Sequence, residues 1–115
     1  MSEKLAEKFY IAKKEWAKLD SQASICEESK KIILGQLIEL TKQENIKISL
    51  AHAEWKAYAS PEYKEHVQKM TQARMEANIK FAEVQGIIEK IKENEREQLK
   101  NNMEIKYNNK NGLGG

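Results

Sequence analysis

Two histidines and one cysteine are the side chains in this sequence that are best suited to metal binding or nucleophilic chemistry. Glu62 and Glu65 lie close to His66, and His52 precedes them on the other side of the only proline. Zinc sites need three or four ligands at recognisable spacings, and the sequence supplies no sure third ligand. Cys26 falls on an apolar stripe, where a thiol packs as a small hydrophobic group. We therefore predict no catalytic residue, no metal site and no cofactor.

Lysine clusters are the other candidate functional residues, because ammonium groups bind the phosphates of nucleic acids. The net charge of +2 is too small to attract nucleic acid by bulk charge, so a basic surface must be local. Lysine interleaved with glutamate is also typical of a solvated helix face, and that interpretation stays open. The least neutralised clusters are the predicted nucleic-acid contacts: Lys13, Lys14, Lys30, Lys31, Lys90 and Lys92.

Several classes of protein are excluded by what the sequence lacks. It has no glycine-rich phosphate loop, no nucleophile elbow and no regular Cys/His spacing, so we do not expect an enzyme. A single cysteine excludes an internal disulfide and suits a reducing compartment. No apolar run approaches the length of a membrane span. We expect a cytoplasmic protein with no membrane partner.

Two long helices must position these residues. Apolar side chains recur in alternating steps of four and three along residues 5–40 and 63–91, which is the spacing of a coiled-coil seam. Ser60 followed by Pro61 is typical of a helix N-terminus. We predict a single helical domain over residues 1–107, with a helix over about 3–58, a turn at 59–60, a helix over about 61–107, and a flexible tail at 108–115.

The two apolar stripes also predict how the helices pair. If the chain folds back at Ser60, Leu37 faces Phe81, and Glu44 faces Arg74 as a charged pair that could fix the register. The same register brings His52 and His66 near each other, and it brings the lysines at 30–31 to the height of those at 90–92. The fold class predicted is therefore all-α, a long antiparallel helical hairpin that resembles a coiled coil.

An apolar belt crosses both helices and predicts self-association. Residues 32–40 and 79–91 are apolar on several sides, and a helix of that kind expects several neighbours. The residues predicted to mediate a homo-oligomer are Ile32, Leu34, Gly35, Ile38, Ile79, Gly86 and Ile87. A shorter three-helix bundle with a break near Gly35 is the alternative. The other place where the first helix could break is Glu44, where the phase of the stripe slips.

Two stretches carry a resemblance to a known group of proteins. Residues 59–66 (ASPEYKEH), followed by residues 73–78 (ARMEAN), resemble small uncharacterised helical proteins of bacteriophages that are often encoded among replication and recombination genes. Residues 16–19 and 27–31 fit the same pattern. Residues 87–105 are similar in pattern to phage recombination mediators of the UvsY type, which are helical and oligomeric and which bind single-stranded DNA and a recombinase.

The resemblance implies a function in the cytoplasm of a host cell. We expect a non-enzymatic phage accessory protein in DNA recombination or replication, which binds single-stranded DNA or a DNA-processing partner. The alternative is a protein inhibitor or adaptor that captures a host defence or nuclease enzyme through a helix face. The two differ in their dependence on salt, because phosphate contacts weaken steeply with salt and apolar helix-face contacts do not.

Overall fold

The computed structural model describes the backbone of residues 2–114 and the side chains of residues 4–108. It contains three helices: α1 spans Ser2–Glu44, α2 spans Leu50–Ala59 and α3 spans Pro61–Gly114. The long helices α1 and α3 pack antiparallel in an extended hairpin that resembles a coiled coil. The all-α hairpin predicted from the sequence is therefore confirmed. None of the described helices combines the length and the apolar character that crossing a bilayer requires.

The chain reverses at residues 45–49, between α1 and α2. The side-chain oxygen Oδ1 of Asn45 accepts a hydrogen bond from the backbone N–H of Lys47 at 3.2 Å. The carbonyl of Asn45 accepts from the N–H of Ile48 at 3.1 Å. A side chain that bonds to the backbone two residues on is the usual way in which asparagine forms a turn. Ser49 then begins α2, since its Oγ accepts from the N–H of His52 at 3.2 Å.

This turn corrects the predicted helix over residues 3–58, which is two helices in the structure. The break lies beside Glu44, where the stripe slips in phase, while α1 runs through Gly35 without interruption. A Cβ added at Gly35 would meet nothing within 4 Å, so this glycine is not a point of close helix approach. The three-helix alternative with a break near Gly35 was therefore wrong about the position of the break.

Ser60 marks a second interruption, between α2 and α3. Its hydroxyl donates to the carbonyl of Ala57 at 2.7 Å and accepts from the N–H of Tyr63 at 3.2 Å, and Pro61 is the first residue of α3, as predicted. Contacts of α2 are mainly with α1 and much less with α3. We conclude that α2 and α3 both run back along α1, so the predicted reversal at 59–60 was wrong.

Mostly small side chains are buried between the helices. The buried apolar residues are Ala12, Ala23, Ala53, Ala57, Tyr63, Ala77 and Val84. Alanine methyl groups let two helices approach closely, but they remove little apolar area from water. No large side chain in the described part of the chain is fully buried. The hairpin therefore has a thin core.

The register between α1 and α3 differs from the predicted one by about twenty residues along α1. The ring of Phe81 contacts that of Trp16, with centroids 5.5 Å apart, and not Leu37 as predicted. Arg74 is bonded to Asp20 and Glu27 of α1, and not to Glu44. Moving the reversal from residue 60 to residues 45–49 shifts every facing pair by the same amount, which explains both differences.

At one end of the molecule, α3 is the only helix among the described residues. Leu5 and Ala6 of α1 share a groove with Ile91 and Gln98 of α3, so the start of α1 lies level with this part of α3. Beyond it α3 continues to Gly114, with no other described helix beside it. The helix thus passes the predicted end at residue 107, and residues 108–114 of the predicted tail are helical. The whole chain is a rod, with principal extents of 98 × 22 × 15 Å.

Candidate interaction surfaces

Arg74 is the centre of the best-connected polar cluster in the described chain. Its Nη2 and Nε donate to the two carboxylate oxygens of Glu27 at 2.7 and 2.9 Å. Its Nη1 donates to Oδ1 of Asp20 at 2.7 Å, and Nη2 also reaches Oγ of Ser24 at 3.4 Å. Asp20, Ser24 and Glu27 are spaced by four and three residues, so they share one face of α1. The bidentate pair fixes the guanidinium in position against α1.

These contacts shift the pKa values of Glu27 and Arg74. The hydrogen bonds from Arg74 hold the pKa of the Glu27 carboxyl below its ordinary value, and the bonds to Glu27 and Asp20 raise the pKa of Arg74. The three side chains remain 30–40% exposed, and screening by water weakens such pairs. Arg74 already engages the carboxylates of Asp20 and Glu27. We therefore interpret the cluster as a structural contact that fixes the register of α1 and α3.

Lys80 forms a second charged contact between the helices. Its Nζ lies 2.6 Å from Oε2 of Glu15 on α1 and 2.8 Å from Oε2 of Glu83, one turn further along α3. Hydrogen bonds to Glu15, and then to Glu83, raise the pKa of the lysine. Glu15 precedes Asp20 in α1 while Lys80 follows Arg74 in α3, as antiparallel packing requires. Lys80 is therefore engaged within the hairpin.

The predicted histidine pair does not form. His66 lies on α3, and its Nε2 donates to the backbone carbonyl of Cys26 on α1 at 2.9 Å. His52 lies on α2, where its ring is 6.1 Å from the ring of Trp55. Fourteen residues of nearly continuous helix between them correspond to about 20 Å. No group of three potential metal ligands occurs among the described residues.

The six predicted DNA-contacting lysines are divided between two regions of the rod. In the observed register, the lysines at 13–14 and at 90–92 lie towards the end where α1 begins, and Lys4 and Lys8 join them there. The lysines at 30–31 lie near the level of His66, roughly 35 Å from those at 90–92. The predicted meeting of residues 30–31 with residues 90–92 was therefore wrong, since it depended on the reversal at Ser60.

The predicted self-association belt is divided in the same way. Gly86 lies about 35 Å along the rod from Gly35, because the α1 residues level with Gly86 are near its N-terminal end. Ile32 and Ile79 are both exposed, while Leu34, Ile38 and Ile87 are half-buried. Gly86, like Gly35, has open space where a Cβ would stand. The seven residues do not form one belt.

Large apolar side chains are exposed along the whole rod. They include Trp55 and Tyr58 on α2, Ile25 and Ile32 on α1, and Leu99, Met103 and Tyr107 at the free end of α3. The total accessible surface is 9352 Å², whereas a compact monomer of this mass exposes about 6,500 Å². The difference in accessible surface, about 2,900 Å², is comparable with the area that an obligate protein interface buries. Sequence reasoning missed the free end of α3, because the predicted register placed the first helix opposite it, with Leu19 facing Leu99.

Comparison with family models, with characterised proteins and with solved structures finds no match for this chain.

Proposed function

We propose that this chain is a non-enzymatic accessory protein of phage DNA recombination or replication, which binds single-stranded DNA or a DNA-processing protein. The observation that carries the binding role is the long, thinly packed rod, whose surface exceeds that of a compact monomer by about 2,900 Å². The association with phage DNA metabolism depends on the resemblance of residues 59–66 and 73–78.

We propose that DNA contacts the end of the rod where α1 begins, which we call the basic end for its lysines, although Glu7, Glu89 and Glu93 are interleaved with them. Lys90 and Lys92 lie towards the start of α1, where Lys4 and Lys8 add two further positive charges. Lys92 has only a 3.8 Å contact with Glu89, at exposed side chains, and such a pair is weak in water. Lys90 forms no ion pair with another described residue, so Lys90 and Lys92 can contact phosphates, whereas Lys80 is held by two carboxylates.

The test is fluorescence anisotropy of a labelled single-stranded oligonucleotide at low and moderate salt. We expect binding that weakens steeply with salt, because phosphate contacts release counterions. The variant K90E/K92E should lose most of this binding. K30E/K31E is its matched control, since it makes the same change of net charge roughly 35 Å away. Absence of binding at low salt, or equal loss in both variants, would refute a DNA contact at the basic end.

The alternative function is capture of a host enzyme by a protein inhibitor or adaptor. It is favoured by Trp55, which is 66% exposed, and by Tyr58 close to it on α2. Exposed aromatic side chains are the usual anchors of protein interfaces. In this case the oligonucleotide does not bind, and a host protein recovered on the immobilised chain is retained at moderate salt. Its retention should be lost in Trp55→Ala and kept in K90E/K92E.

A further inference from the structure

The free end of α3 carries an apolar face that no other described part of the chain covers. Leu99, Met103 and Tyr107 are spaced by four residues, and they are 62%, 64% and 67% exposed. They line one shallow groove together with Arg96, Lys100 and Glu104, so they share a face of the helix. The part of α3 beyond α1 has only a few helical turns. A helical segment of that length is marginal in water, and tertiary packing normally stabilises it.

This face points in a different direction from the side of α3 that packs on α1. The groove shared with Leu5 and Ala6 is formed on α3 by Ile91, Asn94, Gln98 and Asn101, among others. Asn101 is two residues from both Leu99 and Met103, and residues two apart point to different sides of a helix. If a helix continued the line of α1 along α3, it would therefore cover Gln98 and Asn101. It would leave Leu99 and Met103 exposed.

The charges beside the apolar face are arranged so that the face complements itself. One flank carries Lys100 and Glu104, and helical geometry places Glu95 and Lys106 on the other flank. None of these four side chains has an ion-pair partner within the described chain. In an antiparallel pair of identical helices related by a two-fold axis, each flank lies beside the same flank of the second copy. The residues of the two flanks then run in opposite directions. Lys100 then meets Glu104 of the copy, and Glu95 approaches Lys106.

We propose that two copies of this chain dimerise through the free ends of α3, which pair antiparallel about a two-fold axis near Met103. Leu99 lies opposite Tyr107 of the second copy, and the two Met103 side chains meet at the axis. Such an isologous contact is the commonest form of a homodimer interface. This proposal does not depend on the DNA-binding function, and it replaces the belt around residues 35 and 86 as the site of self-association.

Sedimentation velocity over about a hundredfold range of protein concentration tests the proposal. We expect a species of twice the chain mass, which L99E/M103E converts to the monomer with unchanged helicity by circular dichroism. I32E/I79E is the matched control, because it introduces the same charges at equally exposed apolar positions, and it should remain dimeric. A monomeric wild type, or loss of the dimer in the control alone, would overturn the proposal.

Charge exchange tests the antiparallel arrangement without disturbing the apolar face. K100E alone and E104K alone each place like charges opposite each other and should weaken the dimer, whereas K100E/E104K should restore it. In a Cys26→Ser background, Met103→Cys should form a disulfide-linked dimer on mild oxidation. Asn101→Cys, on a different side of the same helix, should not. A double variant that stays as weak as the single ones, or equal cross-linking at both positions, would rule out this pairing.

Discussion

Arg74 fixes the register of a hairpin whose seam is otherwise uniform. Alanine occupies buried positions on all three helices, and methyl groups distinguish poorly between one alignment and the next. The guanidinium of Arg74 has a definite geometry that matches only one pair of carboxylates on α1, those of Asp20 and Glu27. At this scale, charge determines an alignment that apolar contacts leave weakly specified.

The pKa of Glu27 makes the stability of the hairpin dependent on pH. Its folded-state pKa lies below the unfolded value, so the ionised carboxylate stabilises the fold above the unfolded pKa. That stabilisation is lost as the pH falls through the folded pKa. We expect the urea midpoint to fall on acidification, and to fall less in Glu27→Gln. Glu28→Gln, an exposed neighbour, is the control, and an unchanged pH dependence in Glu27→Gln would contradict the assignment.

Removal of Arg74 should shift the alignment of the helices. The two carboxylates of α1 then lose their partner and repel each other, so Arg74→Ala should disturb the contact between Trp16 and Phe81. The measurement is the emission maximum of Trp16 in a Trp55→Phe background, which should move to longer wavelength. Glu44→Leu lies outside the cluster and should leave the maximum unchanged. A shift of the maximum in both variants would indicate that Glu44 is the partner of Arg74.

The short helix α2 depends on its caps. It has only ten residues, and helices of this length are stabilised by packing and by satisfied end groups. Ser49 caps its first turn, and the hydroxyl of Ser60 bonds both to the last turn of α2 and to the first turn of α3. These two serines therefore define the ends of the element that separates α1 from α3.

Ser49→Ala should destabilise the protein by about 1 kcal/mol, which is the usual effect of removing an N-cap. The loss follows because the N–H of His52 no longer has its acceptor in the first turn. Urea unfolding followed by circular dichroism measures it. Ser21→Ala, at an exposed position within α1, is the control and should change stability by less than half as much. Equal effects at both positions would show that the cap contributes nothing.

Gly35 and Gly86 lie inside long helices, where glycine is unfavourable. A Cβ at either position meets open space in the single chain. Gly35→Ala and Gly86→Ala should therefore each stabilise the fold by about 0.5–1 kcal/mol. Thermal unfolding measures the effect. Destabilisation by either substitution would show a close neighbour at that glycine, as the belt predicted from the sequence requires.

The whole molecule is a rod with two different ends. Its radius of gyration is 26.8 Å, about twice the value of 13 Å for a compact chain of this length. The turn at residues 45–49 closes one end, and α3, with no other described helix beside it, forms the other. The exposed aromatic side chains of α2 and the apolar face of Leu99, Met103 and Tyr107 therefore lie towards opposite ends of the rod.

The shape of the dimer distinguishes the two candidate interfaces. Pairing through the free ends of α3 joins two rods end to end, so small-angle X-ray scattering should give a radius of gyration well above 26.8 Å. Pairing side by side along the rods, through exposed residues such as Ile32 and Ile79, would double the mass and leave that radius nearly unchanged. The concentration series should extrapolate to the value of the single rod on dilution.

Local signals in the sequence determined the helical fold class of this protein and the start of α3. The alternation of four and three steps, the helix-forming composition and the Ser60-Pro61 pair predicted an all-α hairpin and the start of α3. These features depend on neighbours within one or two turns, and such neighbours are known from the sequence alone. The candidate lysines were also identified in this way, residue by residue.

Only the tertiary structure decided where the chain reverses and which surfaces come together. Ser60 and Pro61 mark a helix boundary equally well whether the chain folds back or continues, and the reversal depends on the turn that Asn45 forms instead. A seam repeated every seven residues fits several alignments, so the register was settled by the bonds of Arg74 to Asp20 and Glu27. Long-range position follows from that single alignment, and this is why the predicted meeting of residues 30–31 with residues 90–92, and the predicted belt across both helices, were wrong.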